Sequence, residues 1–170
     1  MQDGTIVFAA QYQSPSALAR LPHSTILYSK DHGDTWHIGT GAFPDTTEAQ
    51  VVEIKPGVLM LNCRYNPKPV RVIMTTSDMG KTWQRHSTSQ NALIEPRACM
   101  ASLIRTGQTN SQDTRRWLLF SNPDSTQGRH HLTIKASPDD GLTWPQQYRL
   151  LLDEGLGRGY SCMTMIDKAT

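Results

Sequence analysis

The strongest constraint on this chain is a phrase written three times: Ser29-Lys-Asp-His-Gly-Asp-Thr-Trp36, Thr76-Ser-Asp-Met-Gly-Lys-Thr-Trp83 and Ser137-Pro-Asp-Asp-Gly-Leu-Thr-Trp144. Each copy has the form S/T-x-D-x-G-x-T-W. An Asp two residues before a Gly is a turn with a physical basis. The carboxylate accepts hydrogen bonds from backbone amides just ahead of it, and Gly takes a positive φ at no steric cost. The closing Thr-Trp then starts a new strand, with the indole anchoring a small sheet against its neighbour. Trp36, Trp83 and Trp144 are spaced by 47 and 61 residues. That is close to one repeat of about four short strands, as in a blade of a β-propeller.

The rest of the chain fits an all-β repeat. Helical periodicity is absent, and short β-rich runs bounded by turn residues recur throughout. Strands are expected over 5–12, 24–29, 36–39, 49–54, 58–65, 70–76, 83–86, 98–105, 116–121, 131–136 and 147–152, with 160–166 opening another. At about four strands per blade this makes roughly three blades, too few to close a ring. Lys55-Pro-Gly57 reads as a tight hairpin turn, and the polar run 105–116 as a long surface hairpin connection. Neither divides the chain, so 1–170 reads as one partial propeller domain.

Composition excludes several functions. A net charge of +2 with no basic run gives no footprint for nucleic acid. No stretch is long enough to cross a bilayer, and the acidic, turn-like N-terminus has no signal-peptide pattern. Cys63, Cys99 and Cys162 are odd in number and lack metal-ligand spacing, so they read as buried free thiols. His130 and His131 are adjacent; on a strand they point to opposite faces and cannot share a metal. No metal or other cofactor is expected. Glu53, Glu95, Asp153 and Glu154 are not separable from surface or rim acids.

The three phrases resemble the Asp boxes (BNR repeats) of the bacterial-type and animal exo-α-sialidases, or neuraminidases, which are six-bladed propellers. The stretches between them resemble the same family: Thr47-Glu-Ala-Gln-Val-Val-Glu-Ile54, Leu61-Asn-Cys-Arg64, Glu95-Pro-Arg-Ala-Cys-Met-Ala-Ser102, Leu118-Leu-Phe-Ser-Asn-Pro123 and Gly157-Arg-Gly-Tyr-Ser-Cys162. The resemblance covers essentially the whole chain. It implies an internal segment of a catalytic domain, about half a propeller, from a secreted, periplasmic or cell-surface parent roughly twice as long. The implied activity is retaining hydrolysis of terminal sialic acids from glycans, glycoproteins or glycolipids.

Site residues carry over by motif. Glu48 and Arg64 match the family's glutamate and the substrate-carboxylate arginine that follows it by one hairpin. On the residues alone, the plainer reading is an ion pair across neighbouring strands. A lone guanidinium at the end of an apolar strand is costly unless it meets an acid or a ligand. Arg129 matches a second carboxylate-binding arginine, although by itself it reads as a solvated loop residue. The planar fork of Arg suits bidentate grip of a carboxylate, which Lys cannot imitate. Tyr160 matches the catalytic tyrosine. The anomeric carbon of a sialoside bears a carboxylate, so a neutral phenol avoids the repulsion an anionic nucleophile would meet. It then needs a base, a role carried over to Glu48. The family's first arginine and its aspartate acid/base are not matched, so this segment alone is expected to be inactive. A glycan- or protein-binding propeller without catalysis, and a trans-sialidase, are the alternative readings.

Overall fold

The computed structural model describes residues 1–13, 20–107 and 116–166. Among the described residues, twelve strands form three antiparallel sheets of four, matching the three expected blades. The first contains β1 (Ile6–Gln13), β2 (Pro22–Ser29) and β3 (His37–Ile38), with β4 (Phe43–Pro44) also pairing β2. The second runs in order β5 (Thr46–Lys55), β6 (Val58–Tyr65), β7 (Arg71–Thr76) and β8 (Gln84–Arg85). The third contains β9 (Ser102–Arg105), β10 (Leu118–Pro123), β11 (Leu132–Ser137) and β12 (Arg149–Asp153). No described helix is long and apolar enough to cross a membrane.

The near-continuous apolar run of β6 is explained by burial on both faces. Leu59, Leu61 and Cys63 join Ile26, Val72 and Met74 in a core between the first and second blades. Met60 points the other way, joining Ile73, Leu103, Leu118, Phe120 and Trp144 between the second and third. This alternation is the two-residue period of a strand, here with apolar packing on either side. Each such fully buried side chain contributes about 1.5–3 kcal/mol of transfer free energy.

The three boxes fold alike. In the second, Thr76 Oγ1 donates to Asp78 Oδ1 (2.7 Å) and accepts from Gly80 N–H (3.0 Å), while Asp78 accepts from Thr82 N–H (2.9 Å) and Thr82 Oγ1 (2.6 Å). The same four bonds recur around Asp31 and Asp139. Gly takes a positive φ in each box, and so does the residue before it: His32, Met79 and Asp140 lie at 58°, 59° and 58°.

Two boxes also join blades. Gly80 O accepts from Thr40 N–H (2.8 Å) and Thr40 Oγ1 (2.9 Å), and Trp83 Nε1 donates to Thr40 O (3.0 Å). Gly141 O likewise accepts from Thr88 Oγ1 (3.1 Å). The indoles differ with their surroundings: Trp144 is 7% exposed against Phe120, whereas Trp36 is 42% exposed beside Phe8.

Five local expectations are corrected. Pro145 follows the third box, so Trp144 leads into a 3-10 turn (Gln146–Tyr148) before β12 rather than directly into a strand. The strand expected over 98–105 begins only at Ser102, and 160–166 is not a strand. The latter segment is tied down by isolated bonds, from Ser161 Oγ to Ser121 O (2.8 Å) and from Met163 N–H to Ser102 Oγ (3.0 Å), with no ladder. Cys162 is exposed, while Cys63 and Cys99 are buried. His130 and His131 precede β11 rather than lie on it, and their rings meet edge to face with centroids 4.7 Å apart. Most of the expected 105–116 hairpin lies outside the described residues. Its ends are closed by Thr106 N–H to Trp117 O (2.9 Å) and Trp117 N–H to Thr106 Oγ1 (2.9 Å).

Candidate active site

The four site residues expected from the sequence come together from two blades and the segment after β12. Glu48 stands on a bulge. Thr47 pairs with Arg64 and Gln50 with Asn62, so Glu48 and Ala49 face the single residue Cys63. Glu48 has a φ of 42°, the one positive non-glycine φ inside a strand among the described residues. The bulge aims its carboxylate at two partners. Arg64 Nη1 donates to Oε2 at 2.7 Å, and the Tyr160 hydroxyl donates to Oε1 at 2.8 Å across 112 residues of sequence.

Tyr160 is presented by a bent backbone, with Gly159 at φ 70° and Tyr160 at φ 64°. A Cβ on residue 159 would lie 2.6 Å from Cys99 Sγ and 3.1 Å from Arg129 Cδ, so only glycine fits. The phenol is 45% exposed. Its hydrogen bond to the Glu48 carboxylate, assisted by partial burial, raises its pKa above the ordinary phenol value. The resting tyrosine is therefore neutral, with its proton already shared with a carboxylate.

Arg129 comes from the β10–β11 connection, and its guanidinium carbon lies 5.1 Å from the centre of the Tyr160 ring. It donates to Ala98 O (2.5 Å) and to Arg158 O, bonds that hold the segment bearing Tyr160 beside the third blade. Gly157 N–H donates back to Arg129 O at 2.7 Å. Arg64 keeps a buried Nε with no partner among the described residues. The arrangement is a carboxylate–phenol pair flanked by two guanidinium groups, suited to an anionic substrate. Among the described residues, no cluster of three His, Cys, Asp or Glu is placed to hold a metal.

Sequence reasoning missed the layer beneath. Arg71 is fully buried; its Nη1 donates to both oxygens of Glu95 at 2.8 Å, its Nε to Asn62 Oδ1 at 2.7 Å and its Nη2 to Asn62 O at 2.9 Å. Nη2 also reaches Glu48 O at 3.5 Å. Glu95 is thus a core acid rather than a rim one. Burial raises its pKa, against the opposing pull of Arg71. The signal was present: Arg71 opens an apolar strand just as Arg64 stands near the end of one, and a charge in such a place implies a buried partner.

Comparisons with known proteins show the family. Residues 1–169 match the model of the BNR repeat-like domain. A sialidase of Bacteroides fragilis is 48% identical over 170 residues, covering all of this chain and 30% of that protein. The solved Hadza microbial sialidase Hz136 superimposes with a TM-score of 0.90 at 54% identity, over 98% of this chain and 32% of that one. The NanB sialidase of Streptococcus pneumoniae does so with a TM-score of 0.68 at 25% identity, over 88% and 22%. The chain spans about a third of the length of the first two. It belongs to the BNR repeat-like domain family, as a partial β-propeller of the sialidase type.

Proposed function

We propose that the protein containing this segment is a retaining exo-α-sialidase, acting on terminal sialic acids of glycans, glycoproteins or glycolipids through a tyrosine nucleophile. The observation that carries the reading is the hydrogen bond from Tyr160 to Glu48, itself paired with Arg64. The names and coverage of the relatives support it.

In this reading Arg64 and Arg129 hold the sialic-acid carboxylate, with Arg129 exchanging carbonyl contacts for the substrate. The Tyr160 oxygen attacks the anomeric carbon as Glu48 takes the phenolic proton, and the bond to the aglycone oxygen breaks. Water then displaces the tyrosine from the glycosyl-enzyme, its proton passing to the conjugate base of the acid that protonated the leaving group, and Glu48 returns the proton to the phenolate. Two displacements give net retention; sialidases with a tyrosine nucleophile are a recognised departure from the two-carboxylate scheme. Protonation of the leaving group falls to an acid outside the matched residues, so the 170-residue chain alone is inactive.

A fluorogenic sialoside assay tests the reading. The full-length protein should turn over, and Tyr160→Phe should reduce kcat by at least about 10³-fold because the nucleophile is gone. An unchanged rate in that variant refutes the mechanism. Appreciable turnover by the 170-residue chain refutes its dependence on residues elsewhere, and transfer products in place of free sialic acid would reassign the reaction.

A further inference from the structure

We propose that Gln11, a residue of the first blade, is a positioning residue for Glu48 on the second. The inference rests on the reading of Glu48 as the base, and its starting point is the Glu48 backbone. The left-handed φ of 42° and the bulge take the Glu48 peptide groups out of the β5–β6 ladder. A non-glycine residue in that region costs about 1–3 kcal/mol and persists only where its surroundings hold it.

Two groups supply the hold from different directions. Gln11 Oε1, at the end of β1, accepts the Glu48 N–H at 2.9 Å. Arg71 Nη2 reaches the Glu48 carbonyl from the core at 3.5 Å, while its other nitrogens are fixed by Asn62 and Glu95. The two contacts are unequal. Arg71 is at the long end of a hydrogen bond and anchored for structural reasons, whereas Gln11 makes a short bond, the one side-chain hydrogen bond described for it.

Gln11 is exposed, so its amide is not there to satisfy a buried core. Its bond fixes the peptide from which the Glu48 carboxylate reaches both Tyr160 and Arg64. Without the acceptor, the N–H turns to water, the peptide rotates toward ordinary β geometry, and the carboxylate swings away from the phenol. The first blade, which supplies none of the four matched site residues, would then control proton transfer on the second.

The experiment compares Gln11→Met, similar in reach but without an acceptor, with Gln11→Glu, which keeps an oxygen at the same position, and with Glu48→Gln, all in the full-length protein. Gln11→Met should lower kcat by about 10- to 100-fold, the scale of a misplaced catalytic group, with KM and thermal midpoint little changed. Gln11→Glu should recover most of that loss. A Gln11→Met enzyme with wild-type kcat, or one whose defect lies in KM alone, overturns the proposal; the second result would make Gln11 a substrate contact. If Glu48→Gln keeps wild-type kcat, the base assignment itself falls and this inference with it. A crystal structure supplies a readout without turnover: Gln11→Met with Glu48 still at hydrogen-bonding distance from Tyr160 overturns the proposal.

Discussion

The second blade carries two strained backbone features, and they are held in opposite ways. At its outer turn, Met79 sits at φ 59° and the four bonds that close the turn all come from Thr76, Asp78, Gly80 and Thr82, with Thr40 of the first blade adding only contacts to a turn already closed. At its bulge, Glu48 sits at φ 42° and is held by Gln11, Arg64, Arg71 and Tyr160. The turn is self-sufficient and can be copied anywhere along a chain. The bulge depends on two blades and the segment following a third, so the site exists only when the blades are correctly packed.

Mutations that separate chemistry from folding sharpen this contrast. If Glu48 is the base, as proposed, Glu48→Gln should cost about 10²–10⁴-fold in kcat, the usual scale for that role. Its carboxamide oxygen can still accept from Arg64 while its amide donates to the Tyr160 oxygen, and a partly exposed ion pair is worth only about 0–1 kcal/mol, so the urea midpoint should move little. Arg71→Met should do the reverse to stability. It leaves the buried Glu95 carboxylate without its bidentate partner, a loss of about 3–5 kcal/mol readable by urea denaturation. A small change in stability would mean that Arg71 and Glu95 are exchangeable for apolar packing.

The boxes themselves differ where they touch a neighbour. A Cβ on Gly80 would lie 3.2 Å from Gly39 Cα, Ile26 Cγ1 and Trp83 Cζ2, at a φ of 75°. Gly80→Ala should destabilise by about 2–3 kcal/mol, from a left-handed alanine plus crowding at the blade interface. In the first box, a Cβ on Gly33 meets only Trp36 Cζ2, at 3.8 Å. Gly33→Ala should cost only the backbone term, about 1–2 kcal/mol. Equal losses would show that the turns, rather than the contacts between blades, set the stability.

The same contrast explains what could be read from the sequence. Asp31, Asp78 and Asp139 were legible because a box is completed within eight residues, and β6 because its unbroken apolar run is the mark of burial on both faces. Glu48, Arg64, Arg129 and Tyr160 were found through resemblance to a family, and their convergence is a property of blade packing that local pattern does not encode. Arg71 and Glu95 left a faint trace, as charges bordering apolar strands. Gln11 left none, since an exposed glutamine at a strand end looks like any solvated residue. The segment 160–166 misled because Tyr160, Thr164 and Ile166 have strand propensity, whereas its position is set by Ser102 and Ser121.

The smallest expected effect lies in the acid behaviour of the second box. Hydrogen bonds from Thr82, through its hydroxyl and then its amide, and from Thr76 hold the Asp78 carboxyl at a pKa of about 2, below its ordinary 3.8. A depressed native pKa makes the ionised form a stabiliser: its contribution is complete above about pH 4 and is lost as pH falls toward about 2. Thr82→Val removes the hydroxyl donor but keeps the amide and the β-branched shape. The variant should melt slightly below the parent near neutral pH, and the gap should close as pH is lowered from about 4 to about 2, because a protonated carboxyl gains little from the lost hydroxyl. Thermal midpoints across that range test it. A gap that stays constant would mean that Thr82 acts through packing, and that the box is held by shape rather than by the charge of its aspartate.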